Sequence, residues 1–171
     1  MTSDLRRLAG SLLMIGLPDK ELDDSTRQLI SREGIGNFII FSRNVESPDQ
    51  LRKLCAALAD HCKAEGLPKP LISIDQEGGT VSRLPKPWTQ FPDARLLAES
   101  PEPEQALLES ARTCSLELLD LGINMNMAPV LDVCPAGKEY FMARRSLGEN
   151  PNEVARLGVI MITEKHTIGV A

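Results

Sequence analysis

The chain has 171 residues, 42% hydrophobic and 25% charged, enough to bury one sizeable core. Its 19 Lys and Arg against 24 Asp and Glu leave a net charge of -5. The signs are mixed and no basic stripe carries interleaved aromatics, which argues against nucleic acid and an anionic membrane surface as partners. Cys55, Cys62, Cys114 and Cys134 form no CxxC pair, so buried, reduced thiols in a reducing compartment are expected rather than a metal knuckle or a disulfide framework.

Arg6-Arg7 precede the apolar run Leu8 to Leu17, which imitates a secretory signal. The following Pro18-Asp19-Lys20-Glu21 offers no small-x-small cleavage site, and the run is too short to span a bilayer. A first buried strand over residues 11–16 is predicted instead. Asp24 to Ile30 reads as a helix closed by Gly34, and Asn37 to Phe41 as a second strand. Ser47-Pro48-Asp49-Gln50 carries the N-cap, first-turn proline and third-position glutamine of a capping box. Leu51, Leu54, Cys55, Leu58 and Cys62 follow at helical spacing.

Leu71 to Ile74 reads as a third strand, buried on both faces because it is continuously apolar but for Ser73. A long helix is predicted from Glu102 to Leu121, with Leu107, Ala111, Cys114, Leu118 and Leu121 inward and Gly122 closing it. Ile123 to Val130 reads as a fourth strand, and Asn150-Pro151-Asn152-Glu153 opens a capped helix with Val154, Leu157 and Met161 inward. Gly169-Val170-Ala171 reads as the start of a fifth strand. Alternating strands and helices predict right-handed parallel βα units. A doubly wound sheet and a (β/α)8 barrel both fit, a full barrel needing about 250 residues.

The chemistry concentrates where the third strand stops: Asp75-Gln76-Glu77-Gly78-Gly79, then Arg83. Polar groups just past the C-terminal end of a parallel strand form the rim on which α/β enzymes build their sites. Asp132 ends the fourth strand on the same rim. Asp75, Glu77 and Asp132 are hard oxygen ligands, but no histidine is placed near them, since His61 and His166 fall on helices. No metal and no cofactor are therefore expected. Arg43-Asn44 are expected to shape the rim, and Trp88 and Phe91 to seal an edge rather than stack on a ligand.

Four motifs in order carry a resemblance: Phe41-Ser42-Arg43-Asn44; Asp75-Gln76-Glu77-Gly78-Gly79 with Val81-Ser82-Arg83; Ala128-Pro129-Val130-Leu131-Asp132-Val133; and Arg145-Ser146-Leu147-Gly148. Together they resemble glycoside hydrolase family 3, and within it the single-domain β-N-acetylhexosaminidase branch. The resemblance covers nearly the whole chain from Gly10 onward. It implies an α/β fold of parallel (β/α) units forming roughly the first half of a TIM (β/α)8 barrel, with residues 1–171 as a single partial domain cut near the fifth strand. The implied activity is retaining hydrolysis of terminal β-linked N-acetylglucosamine in cell-wall recycling, in the cytoplasm.

The same resemblance implies that Asp75, Arg83 and Arg145 bind the sugar, with a mutual ion pair bracing the rim as the competing role. It places no catalytic residue in this chain. The family's aspartate nucleophile, and the histidine donor after a Lys-His-Phe-Pro-Gly-His-Gly motif, are expected beyond Ala171. Lys165-His166 departs from that motif, since Thr167-Ile168-Gly169 follows, and is read as a solvated helix end. The expected partner is a carbohydrate, with self-association through open sheet edges. A family 3 β-glucosidase or β-xylosidase fragment and a non-catalytic sugar-binding half-barrel are the alternative readings.

Overall fold

The computed structural model describes residues 3–135 and 141–171. In chain order the elements are α1 (Ser3–Ser11), β1 (Met14–Gly16), α2 (Asp24–Glu33), β2 (Asn37–Ile40), α3 (Pro48–Ala64), β3 (Leu71–Ile74), α4 (Ala94–Ala98), α5 (Pro103–Asp120), β4 (Met125–Asn126) and α6 (Pro151–Ile168). The strands lie in the order β1-β2-β3-β4, and β1 with β2, and β2 with β3, pair in parallel. The molecule is thus of the α/β class, with sequence neighbours adjacent in the sheet and helices between them. By internal contacts the chain divides into two units, one from the N-terminus to Ile74 with Asp120–Met125, the other Asp75–Leu119 with Asn126–Ala171.

In the first unit, register decides which side chains share a face. Phe38 pairs with Ile72 and Ile40 with Ile74, whereas Ile39 pairs with Ser73. Phe38, Ile40, Ile72 and Ile74 are all buried on one face. Ile72 and Ile74 therefore lie on the face opposite to that of Ile39. Helix α3 buries the predicted stripe of Leu51, Leu54, Cys55, Leu58 and Cys62. Ser47 Oγ accepts from Gln50 N at 3.2 Å. The box closes one residue early, because Gln50 Oε1 accepts from Glu46 N rather than from Ser47 N.

Two expectations need correction in this unit. Residues 11–13 are exposed, and the first strand is only Met14–Gly16, preceded by α1. Helix α1 packs on α2 through Gly10, where a Cβ would lie 1.8 Å from Glu33 O, while Leu5, Leu8 and Leu12 face outward. The fourth strand shrinks from eight residues to Met125–Asn126. Asparagine side chains replace ladder bonds there: Asn124 Oδ1 accepts from Ile72 N at 2.9 Å and Asn124 Nδ2 donates to Pro70 O at 2.9 Å.

The second unit holds its own core of Ala94, Leu107, Ala111, Leu147, Val154, Leu157 and Met161, drawn from α4, α5, α6 and the segment before α6. Asn150 caps α6 by accepting from Asn152 N at 2.9 Å. Residues 169–171 form no strand, although Ala171 O accepts from Asn126 N at 2.8 Å. Among the described residues no helix is long and apolar enough to cross a membrane. All four cysteines are buried free thiols, and burial pushes Cys55 up to about 12 and Cys114 up to about 11.

Candidate functional site

The site lies within the second unit, starting where the apolar strand β3 gives way to Asp75. Gly78 and Gly79 have φ of +102° and +51°, a left-handed conformation that side chains rarely adopt. At Gly79 a Cβ would also sit 2.1 Å from Asp93 Oδ1. The turn closes on itself through Glu77 N and Gly78 N, both donating to Val81 O. Asp93 Oδ1 accepts from both Thr80 N and Thr80 Oγ1 at 2.7 Å, and its Oδ2 meets Arg144 Nε at 3.3 Å.

Two ion pairs result. Asp75 Oδ2 lies 2.9 Å from Arg83 NH2, both side chains about a quarter exposed. Glu77 takes Arg145 in a fork, Nε to Oε2 at 2.8 Å and NH2 to Oε1 at 2.6 Å. The Glu77 side chain is 6% exposed, so this two-point pair is the drier and stronger of the two. It raises the Arg145 pKa, first through the Glu77 hydrogen bond, with the charges of Asp75 and Asp132 adding to it. Arg145 also rests against Met142 Sδ at 3.0 Å and 5.9 Å from the Phe141 ring centroid.

Asp75 and Arg83, singled out in the sequence, are thus brought together, while Arg145 is joined to Glu77. Asp132 is exposed and contributes a backbone carbonyl, which accepts from Ser146 Oγ at 2.6 Å. Trp88 is buried and Phe91 half-buried. In the first unit Asn44 is buried, donating to Leu17 O and Asp19 O, and Arg43 Nε donates to Leu17 O at 2.9 Å. Among the described residues no group of three or more His, Cys, Asp or Glu gathers to hold a metal ion.

Three residues organise the rim in roles that the motifs did not assign to them. Gln76, buried between the two acids, takes Arg83 N and Leu84 N on Oε1 and donates to Ser82 Oγ, so it folds the loop that returns Arg83 to Asp75. Asn126 clasps the Gln76 backbone, accepting from N at 3.1 Å and donating to O at 3.0 Å. Lys165 corrects an expectation outright. It is not solvated but 3% exposed, with Nζ donating to Ala128 O at 2.6 Å, because the α6 stripe of Val154, Leu157 and Met161 continues through it. His166 remains exposed. A signal existed for Lys165 in the helical spacing, and its charge masked it.

Residues 5–171 match the family model of the glycosyl hydrolase family 3 N terminal domain. The chain belongs to this family. It is 31% identical over 159 residues to a β-hexosaminidase of Pseudomonas aeruginosa, covering 93% of this chain and 46% of that protein. A β-hexosaminidase of Alkalilimnicola ehrlichii is 34% identical over 164 residues, with the same coverages of 93% and 46%. Among solved structures, a family 3 β-N-acetylglucosaminidase from Paenibacillus sp. str. FPU-7 superposes with a TM-score of 0.88 at 36% identity, over 100% of this chain and 32% of that one. Native NagZ from Neisseria gonorrhoeae gives 0.83 at 27% identity, over 92% and 46%. The chain spans about half the length of the curated relatives it matches.

Proposed function

We propose that this chain is the N-terminal part of a (β/α)8-barrel retaining β-N-acetylhexosaminidase, cytoplasmic and acting on terminal β-linked N-acetylglucosamine in cell-wall recycling. In this reading Asp75, Arg83 and Arg145 hold the sugar. The observation that carries it is the Asp75–Arg83 pair at 2.9 Å. A carboxylate beside a guanidinium presents an acceptor next to a donor, which matches two adjacent hydroxyls that each donate and accept. Asp75 Oδ2 accepts from Arg83 NH2, and in this reading the same carboxylate also accepts from the sugar hydroxyls. The relatives named as β-hexosaminidases support the substrate class.

Retaining hydrolysis needs a carboxylate nucleophile and a proton donor on opposite sides of the scissile bond. Asp75 and Glu77 are engaged with arginines on one turn, and in this reading they position the sugar while the reacting groups come from the remaining half of the relatives' length. The test is hydrolysis of an aryl β-N-acetylglucosaminide. A protein of the relatives' full length should turn it over, and Asp75→Ala should remove about 2–4 kcal/mol of transition-state binding. Residues 1–171 alone should show none. Turnover by the chain alone, abolished by Asp75→Ala, Glu77→Ala or Asp132→Ala, would identify a catalytic acid here and defeat the proposal.

A further inference from the structure

Lys165 stands on the wall of a small cavity of about 10 Å³ that Gln76, Glu77, Cys114 and Arg145 also line. Its ammonium is buried, donates to one carbonyl and has no carboxylate partner among the described residues. A buried ammonium with a single neutral acceptor destabilises a fold, and a methionine of similar length would fill the place without that penalty. Stability therefore does not explain a lysine here, but what it grips does. Ala128 lies in the middle of the segment from Asn126 to Val130. At one end Asn126 clasps Gln76, the residue before Glu77. At the other Val130 bridges Ser146, the residue after Arg145. Both partners of the forked ion pair are thus set by the two ends of one segment whose centre Lys165 holds.

We propose that Lys165 is a positioning residue of the rim, fixing the Asn126–Val130 segment so that Glu77 and Arg145 meet in register and Arg145 stays presented to a sugar. Its sugar readout rests on the function proposed above. Burial lowers Lys165 to about 8, with the neighbouring Cys114 acting in the opposite direction. The ionisable groups facing it are Cys114 from α5 and, across the cavity, Glu77 and Arg145. Cys114 is pushed up to about 11 and Glu77 is committed to Arg145. Lys165 thus changes charge between pH 7 and 9, and loss of that charge removes the charge assistance from the bond to Ala128 O.

The test compares the 171-residue chain with Lys165→Met, using urea unfolding and NMR titration with N-acetylglucosamine while following the Arg145 Nε–H resonance. The variant should be at least as stable as the wild type, yet bind sugar about fivefold or more weakly at pH 7, the share of one hydrogen bond. The gap should narrow by pH 9 as the wild type loses its charge, with the variant's affinity flat. A variant that unfolds more readily while keeping wild-type affinity and pH profile would make Lys165 an ordinary packing residue and overturn the proposal. Should neither protein bind the sugar, the function proposed above fails by itself, and the Arg145 resonance decides. Displaced in the variant at pH 7 it supports the positioning role, and unmoved it overturns it.

Discussion

Gln76 sits between two acids that a motif search notices first, yet it does the folding of the loop. Its side chain holds Ser82, Arg83 and Leu84, while Asn126 holds its backbone. Asn126→Leu should orphan the Gln76 N–H and leave its carbonyl only the long contact from Cys114 Sγ at 3.9 Å, at a cost of about 1–3 kcal/mol for the buried unpaired group. Urea unfolding should show the loss, and stability unchanged within error would mean the clasp is dispensable. Asp75 was conspicuous as an acid at the end of β3, and Arg83 and Arg145 were singled out through the family resemblance. Gln76 and Asn126 were not, because their partners are mainly backbone groups, which every sequence has. Glu77 lay between: visible as an acid, with its match to Arg145 set by a separation of 68 residues.

At the scale of elements, legibility follows burial. Helix α3 and strand β3 were readable to the residue or nearly so, since α3 buries a complete stripe and β3 an apolar run. Helix α1 was not, because its leucines face outward and Gly10 makes its packing contact. Strand β4 was overread because Asn124 and Asn126 pair through side chains where a ladder was expected. The caps at Ser47 and Asn150 were legible, whereas Asp23, the N-cap of α2 and a pH-dependent one, was not. Its carboxylate accepts from Thr26 N at 3.1 Å and from Ser25 Oγ, and chiefly the Ser25 bond, then Thr26, holds it down at about 2. A depressed carboxylate stabilises above its unfolded pKa of 3.8 and loses that contribution as pH falls through the folded value. Asp23→Ala should therefore cost about 1 kcal/mol at neutral pH, and the gap should vanish as pH drops from 4 towards 2. A gap that persists below pH 2 would show that the carboxylate's charge is not what caps α2.

For the molecule as a whole, the sheet order leaves β1 at one end, paired among the described residues with β2 alone. An unpaired edge offers its N–H and C=O groups to another chain, and here Leu12 and Leu13 lead into it exposed, Leu12 at 83%. Sedimentation of residues 1–171 should show concentration-dependent self-association. A monomer at all concentrations, with a sharp and concentration-independent urea transition, would show this edge to be protected. Family membership and the parallel α/β class were readable from four short motifs in order and from the alternation of strands and helices. How the rim is braced was not, because Lys165, Asn126 and Asp93 act on it from segments distant in sequence.

Titration of the 171-residue chain with N-acetylglucosamine tests the central claim most directly, that the turn after β3 is a sugar-binding rim. Saturable shifts are expected at Asp75, Arg83 and Arg145, and they should disappear in Asp75→Ala while the fold persists. Binding that is indifferent to Asp75→Ala, or no binding by a folded wild-type chain, would assign the Asp75–Arg83 and Glu77–Arg145 pairs to bracing alone.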